Sequence, residues 1–164
     1  METRKLEYYK VTGYLSYELK GFVIDKNLLD YRGMVHIGLS SVDFYLSNPE
    51  KVKPILRPFS DLYKTITNNG SEPFIPIVEL AKIAREGQNF SLENDYAIEN
   101  GEHSLNRKFK YDGKDNCFVF NEMFVAYNQY QLFDKLHEWK IDYRGLIGKG
   151  LAIDCNTLDI NPYK

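Results

Sequence analysis

Apolar and polar positions change period several times along this chain, and each change marks an element. The segment from Lys5, with Leu6-Glu7-Tyr8-Tyr9-Lys10-Val11, predicts a helix that stops near Gly13, a residue suited to a helix end. Leu15-Ser16-Tyr17-Glu18-Leu19-Lys20 alternates and then runs into Phe22-Val23-Ile24, which predicts a strand with a turn at Asp25-Lys26-Asn27. Gly33 to Leu39 and Val42 to Leu46 predict two further strands, so that the three would form an antiparallel meander. Pro54 and Pro58 hold the residues between them extended, because each disfavours helix in the residue before it. A short helix from Pro58 or Ser60 to about Ile66 follows, and Asn68-Asn69-Gly70-Ser71 reads as a turn.

The second half is better punctuated. Pro76 opens a helix that ends at Gly87, with Ile77, Leu80, Ala81 and Ala84 as its buried stripe. Gln88 to Asn106 is the least structured stretch and holds Glu93, Asp95, Glu99 and Glu102 without one Lys or Arg. Phe109 to Phe120 is a hairpin pattern with Asp112-Gly113 as its turn. The longest helix is expected from Asn121 as N-cap to about Trp139. After glycines 145, 148 and 150 come a last strand, Leu151 to Cys155, and a tail from Asn161. The sum is an α+β fold: a single domain over residues 1–164, with antiparallel strands packed beside two main helices. Ile24, Phe44, Ile55, Leu56, Leu80, Phe118 and Phe124 are among the expected core residues.

Composition narrows what such a domain does. Its 164 residues are 43% hydrophobic and 27% charged, globular values, and its net charge of -2 provides no general attraction to nucleic acid or anionic membrane. No apolar run reaches the ~18 residues of a spanning helix, and Met1-Glu2-Thr3-Arg4-Lys5 does not open a secretory signal, so a cytoplasmic location is expected. Cys117 and Cys155 lack motif spacing and read as reduced thiols. Thirteen Tyr and ten Phe are many for this length, and Tyr suits both cores and contact surfaces.

Motifs for chemistry are sparse. His137-Glu138 lacks the second histidine of a zinc helix, since position 141 is Ile. Asp134, His137 and Glu138 share a helix face at spacings common in solvated helices. The acids from Glu93 to Glu102 lack the ligand spacing and internal glycine of a calcium loop. Gly148-Lys149-Gly150 lacks the Ser or Thr of a phosphate loop. No cofactor, metal or catalytic residue is expected. Arg107, Lys108 and Lys110, interleaved with Phe109 and Tyr111, have the mix used by single-strand stacking platforms, and the same pattern serves an ordinary solvated strand.

Three blocks carry a resemblance. Tyr14-Leu15-Ser16-Tyr17-Glu18-Leu19-Lys20, Lys53-Pro54-Ile55-Leu56-Arg57-Pro58-Phe59-Ser60-Asp61-Leu62 and Leu136-His137-Glu138-Trp139-Lys140-Ile141-Asp142-Tyr143-Arg144-Gly145-Leu146-Ile147-Gly148-Lys149-Gly150-Leu151-Ala152-Ile153-Asp154 resemble, in order, blocks of a group of small proteins encoded by phages and prophages of Bacteroidota. Ser16, Glu18, Tyr63 and Lys140 depart from the family pattern, which commonly has Pro, Gly, Thr and His there. The resemblance implies an intracellular phage accessory protein, and it implies context rather than mechanism.

On that footing the leading expectation is a non-enzymatic protein that binds a host protein, such as a defence nuclease, in the manner of an anti-CRISPR. The partner would be a CRISPR effector or its guide-RNA complex. Glu93, Asp95, Glu99 and Glu102 would meet its basic channel, and Tyr96, Tyr111, Tyr127, Tyr130 and Tyr143 supply the candidate anchors. The alternative is a single-stranded nucleic-acid binder using Arg107, Lys108, Lys110 and Tyr111. Arg57, held between prolines, is expected to be structural, its planar fork buried against Asp61 or Asp154.

Overall fold

The computed structural model describes residues 6–25 and 33–164. Lys5, Lys26 and Asn27, named above for a helix start and a turn, lie outside the described residues. In chain order the elements are α1 (Tyr8–Leu15), β1 (Lys20–Val23), β2 (Met34–His36), α2 (Val42–Ser47), β3 (Val52–Leu56), a 3-10 turn (Phe59–Tyr63), α3 (Pro76–Ala84), β4 (Asn89–Glu93), β5 (Tyr96–Asn100), β6 (Lys108–Asp112), β7 (Cys117–Phe120), β8 (Phe124–Val125), α4 (Gln129–Glu138), β9 (Ile153–Asp154) and a second 3-10 turn (Cys155–Thr157). The class is α+β, with two sheets rich in antiparallel pairs. The chain gathers into two compact units, Met1–Phe59 with Leu136–Tyr163, and Ser60–Lys135 with Lys164.

The first unit holds the sheet β2-β1-β3-β9. β1 pairs antiparallel with both β2 and β3, while β9 joins β3 in parallel, Ile55 opposite Ile153. Side-chain alternation splits its apolar residues between two clusters. Leu19, Val23, Val52 and Leu56 pack with Val11, Tyr14, Leu15, Ile37, Val42 and Leu146. Phe22, Ile55 and Ile153 pack instead with Cys155 and Tyr163. Gly21 lets β1 lie close, since a Cβ there would sit 2.8 Å from Ile37 and 2.9 Å from Val52.

The first unit departs from the sequence pattern at several places. α1 runs through Gly13 rather than stopping at it, because the glycine makes room for the His137 ring, 2.3 Å from where a Cβ would be. Val42 to Leu46 is helix, not strand. A strand would bury Val42, Phe44 and Leu46 on one face, whereas the helix buries Val42 and Leu46, four apart, and leaves Phe44 49% exposed. The third antiparallel strand is instead Val52–Leu56, the segment that the prolines keep extended, and it pairs with β1, which lies between it and β2. The expected tail is also firmly held: Tyr163 is buried, its hydroxyl donating to Ile55 O (2.8 Å) and accepting from Lys20 N (3.1 Å).

Arg57 sits at the end of β3, 2% exposed. Its Nε donates to Trp139 O (3.1 Å) and its Nη2 to Tyr163 O (2.8 Å). Its backbone bonds Lys140 O and Asp142 N, a one-residue parallel bridge opposite Ile141. Asp142, also buried, accepts from Leu146 N (2.9 Å) and Ile147 N (2.7 Å), which closes the loop that leads to β9. Between these residues, Lys140 is 1% exposed, with Nζ 5.1 Å from the centre of the Tyr163 ring.

In the second unit, α3 begins at Pro76 as the punctuation predicts, burying Ile77, Leu80 and Ala81. Five antiparallel strands follow in the order β4-β5-β6-β7-β8. Phe109 stacks on Phe118 at 5.5 Å, and Phe133 packs against Phe118 and Tyr111. Two expectations fail in this unit. Gln88 to Asn106 is not irregular, for it carries the β4–β5 hairpin, Phe90 opposite Glu99 and Glu93 opposite Tyr96. The long helix does not begin at Asn121: α4 starts at Gln129, and the preceding residues turn back as β8. Of the expected core, Ile24 and Phe124 are, like Phe44, exposed.

Two stability measurements follow. Arg57→Ala removes two charge-assisted donors from buried carbonyls and should cost about 3 kcal/mol, a fall in Tm of roughly 10 °C. An unchanged melting curve would refute that role. Burial, reinforced by Arg57 and partly offset by Glu138 and Glu18, lowers the Lys140 ammonium from 10.5 to about 8. Below pH 8 it is charged in both the folded and unfolded chain, and folding bears the full penalty of burying it. Between 8 and 10.5 the folded chain releases the proton first, so this contribution to stability rises with pH. Lys140→Met should therefore be on the order of 2–3 kcal/mol more stable at pH 7, with the advantage shrinking towards pH 10.5 in denaturant melts.

Candidate functional site

The most unusual surface is built where the long helix was expected. Asn121 and Glu122 both take left-handed backbone, φ 49° and 62°, and Met123 N bonds Phe120 O at 3.1 Å. Two successive positive φ values make the twisted two-residue turn that suits a hairpin, at a steric cost for Glu122, a residue without glycine's freedom. Asn121 is further held by its Oδ1, which accepts from Lys108 N at 2.9 Å, and Glu122 by its bond to Lys110 Nζ at 2.7 Å. The chain then pairs briefly, Phe120 opposite Phe124 and Val119 opposite Val125. Gln129 ends the pairing: its amide accepts from Phe118 N (2.9 Å) and donates to Phe118 O (2.7 Å), taking the place of strand backbone. Asn128 donates to Ile83 O at 3.0 Å, tying this stretch to the end of α3.

The consequence is an apolar run turned to solvent. Met123, Phe124, Val125, Tyr127 and Tyr130 are 74, 62, 56, 106 and 85% exposed. A cleft of about 520 Å³ opens here, lined by Ala84, Arg85, Arg107, Phe120 and the stretch from Met123 to Tyr127. At its polar side lies Glu99, 1% exposed. Glu99 accepts from Arg85 Nε (2.9 Å) and Leu105 N (3.2 Å), and Arg107 Nη1 lies 3.8 Å away. Burial alone would raise this carboxyl, but Arg85, the Leu105 amide and the Arg107 backbone together hold it below its usual value. Arg107 Nη1 is itself buried with no hydrogen-bond acceptor.

Arg107 and Tyr127 line the cleft, and Tyr130 stands exposed on the first turn of α4. Glu93, Asp95 and Glu102 are exposed on or beside the β4–β5 hairpin, but Glu99 is a buried ion-pair partner and no part of an acidic docking surface. Tyr96 is half-buried, with Lys108 Nζ 4.8 Å from its ring centre. Lys110 is engaged by Glu122, and the Tyr111 ring packs on Phe118 while its hydroxyl bonds Asn116. Tyr143 is half-buried in the other unit, 2.9 Å from His137 Nε2. Asp61 is buried and accepts from Lys64 Nζ at 3.4 Å. Burial, with Asp112 and Asp115, pushes the Cys117 thiol up, the opposite of what activates a nucleophile. Among the described residues no group of His, Cys, Asp or Glu is arranged to hold a metal ion.

Met123, with Tyr127 and Tyr130 at spacings of four and three, fits a helix face that Phe124 widens, so the sequence does not mark this stretch as an exposed edge. The one local signal against helix was the Asn121-Glu122 pair directly after a strand pattern. No family model, no curated protein and no solved structure matches this chain.

Proposed function

We propose that this protein works by binding another protein, with the exposed surface of residues 123–130 as its contact face. The supporting observation is the contiguity of five large side chains, all more than half exposed, on one short stretch. Interfaces favour Tyr, Phe and Met at their centres, and a patch of this kind has a solvation cost that a partner would relieve. In the phage setting implied by the sequence resemblance, the partner is a host protein such as a defence nuclease, and the action is inhibition by occupancy rather than catalysis. The nucleic-acid reading is less well supported, because Lys110 is paired with Glu122 and the Tyr111 ring lies against Phe118.

The test is capture from a Bacteroidota host lysate with the wild-type chain and with the triple variant Met123→Ala, Tyr127→Ala, Tyr130→Ala. These side chains are exposed, so each substitution should change folding stability by less than ~0.5 kcal/mol. Hot-spot side chains of this type cost ~2 kcal/mol or more each, so the variant should lose capture almost completely. Equal capture by both proteins would reject this face, and retardation of single-stranded RNA that vanishes with Lys108→Glu would favour the alternative.

A further inference from the structure

From the cleft beside β8 we infer the chemistry of its occupant: an extended peptide segment of the partner, carrying apolar residues and a carboxylate, laid along the free edge of β8. This inference rests on the protein-binding reading above and specifies the part of the partner that is held. Three features of the cleft point the same way.

The first is the main chain. β8 is the last strand of its sheet. Ala126 N bonds Phe118 O, which puts 118 and 126 at a bonding position of the ladder even though Phe118 N turns to Gln129, and with antiparallel alternation 120 and 124 hold the next bonding position. Val119 and Val125 are then a non-bonded pair, and the N–H and C=O of Val125 turn away from β7, towards the open edge. An added strand offers an acceptor and a donor at the spacing of those two groups.

The second is the wall. Met123, Phe124 and Tyr127 present exposed apolar surface over a cleft whose 520 Å³ lies within the ~300–1,000 Å³ of ordinary ligand clefts. Side chains from alternate positions of an added strand would enter such a cleft together.

The third is charge. Two guanidinium groups, Arg85 and Arg107, face a single carboxylate, Glu99, and the Arg107 contact is loose at 3.8 Å. The Glu122 carboxylate at the nearby turn is held by Lys110. The cluster is left one positive charge in excess within a partly apolar site, where an incoming carboxylate on an arginine fork is favoured over a neutral or basic group.

The experiment selects random capped octapeptides on the immobilised full-length protein and measures the affinity of an enriched peptide. Enriched sequences should place Asp or Glu among Val, Ile, Leu or Phe. Replacing the acid by Lys in the peptide should weaken binding about ten-fold or more, a result independent of any change to the protein. Arg107→Gln should give a similar loss. Val125→Pro should abolish binding with little change in melting temperature, since it removes an N–H that serves no partner in β7. Failure to enrich any peptide, indifference to the Lys replacement, or unchanged affinity in both protein variants would overturn the inference. A host protein still captured through Tyr127 and Tyr130 in that event would leave the protein-binding reading standing and remove only this occupant.

Discussion

Arg57 is the residue on which the first unit depends. That unit is made from two separated lengths of chain, and the second must return to the edge of β3 to complete the sheet. One residue manages the junction: its backbone bridges to the 140–142 segment, while its guanidinium reaches the carbonyls of Trp139 and Tyr163. Each carbonyl accepts a charge-assisted hydrogen bond, which offsets part of the cost of taking the guanidinium out of water. Pro58 follows directly and Pro54 precedes it within the strand, so the backbone carrying this cation has little freedom to lose on folding. Asp142 and Tyr163 extend the same logic, each closing a loop onto buried backbone groups that would otherwise go unpaired.

The second unit solves a different problem, that of stopping a sheet. β8 is two residues long, begun by a strained turn at Asn121-Glu122 and ended by the Gln129 amide acting as a false strand. A short edge limits indiscriminate pairing with other chains. It also leaves Val125 with outward main-chain groups beside an apolar cleft, the combination through which a specific partner can be read. Strain at Glu122 and exposure of Phe124 are costs to folding that the rest of the unit must offset.

Charge in this molecule is mostly local. The four acids that stand together in the sequence separate in space: Glu99 turns inward to Arg85, while Glu93, Asp95 and Glu102 remain outside. Sequence spacing of two residues along β5 decides which side faces the interior, so a count of acids cannot distinguish the buried one. Lys140 is the opposite case, a basic residue drawn into the interior by its neighbours Ile141 and Asp142, both buried, and tolerated there over the Tyr163 ring.

Local chemistry by itself determined the α+β class, the 3-10 turn after Pro58, the helix opened by Pro76 and the hairpin from Phe109 to Phe120. Pro58, Pro76 and the apolar pattern around Asp112-Gly113 restrict the local backbone enough to mark these elements, although the hairpin turns over residues 113–116 with its left-handed residue at Asn116 rather than at the glycine. Arg57 is buried, as expected for a guanidinium paired with Asp61 or Asp154, but the sequence held no sign of its carbonyl partners at Trp139 and Tyr163, more than eighty positions away in the chain. Tertiary structure decided the rest. Val42 to Leu46 and Met123 to Tyr130 have spacings that satisfy both a strand and a helix, and such segments follow whichever neighbour offers the better burial. The exposed surface of residues 123–130 came from that second ambiguity: pairing of Phe120 with Phe124 and of Phe118 with the Gln129 side chain turned an expected helix into a sheet edge.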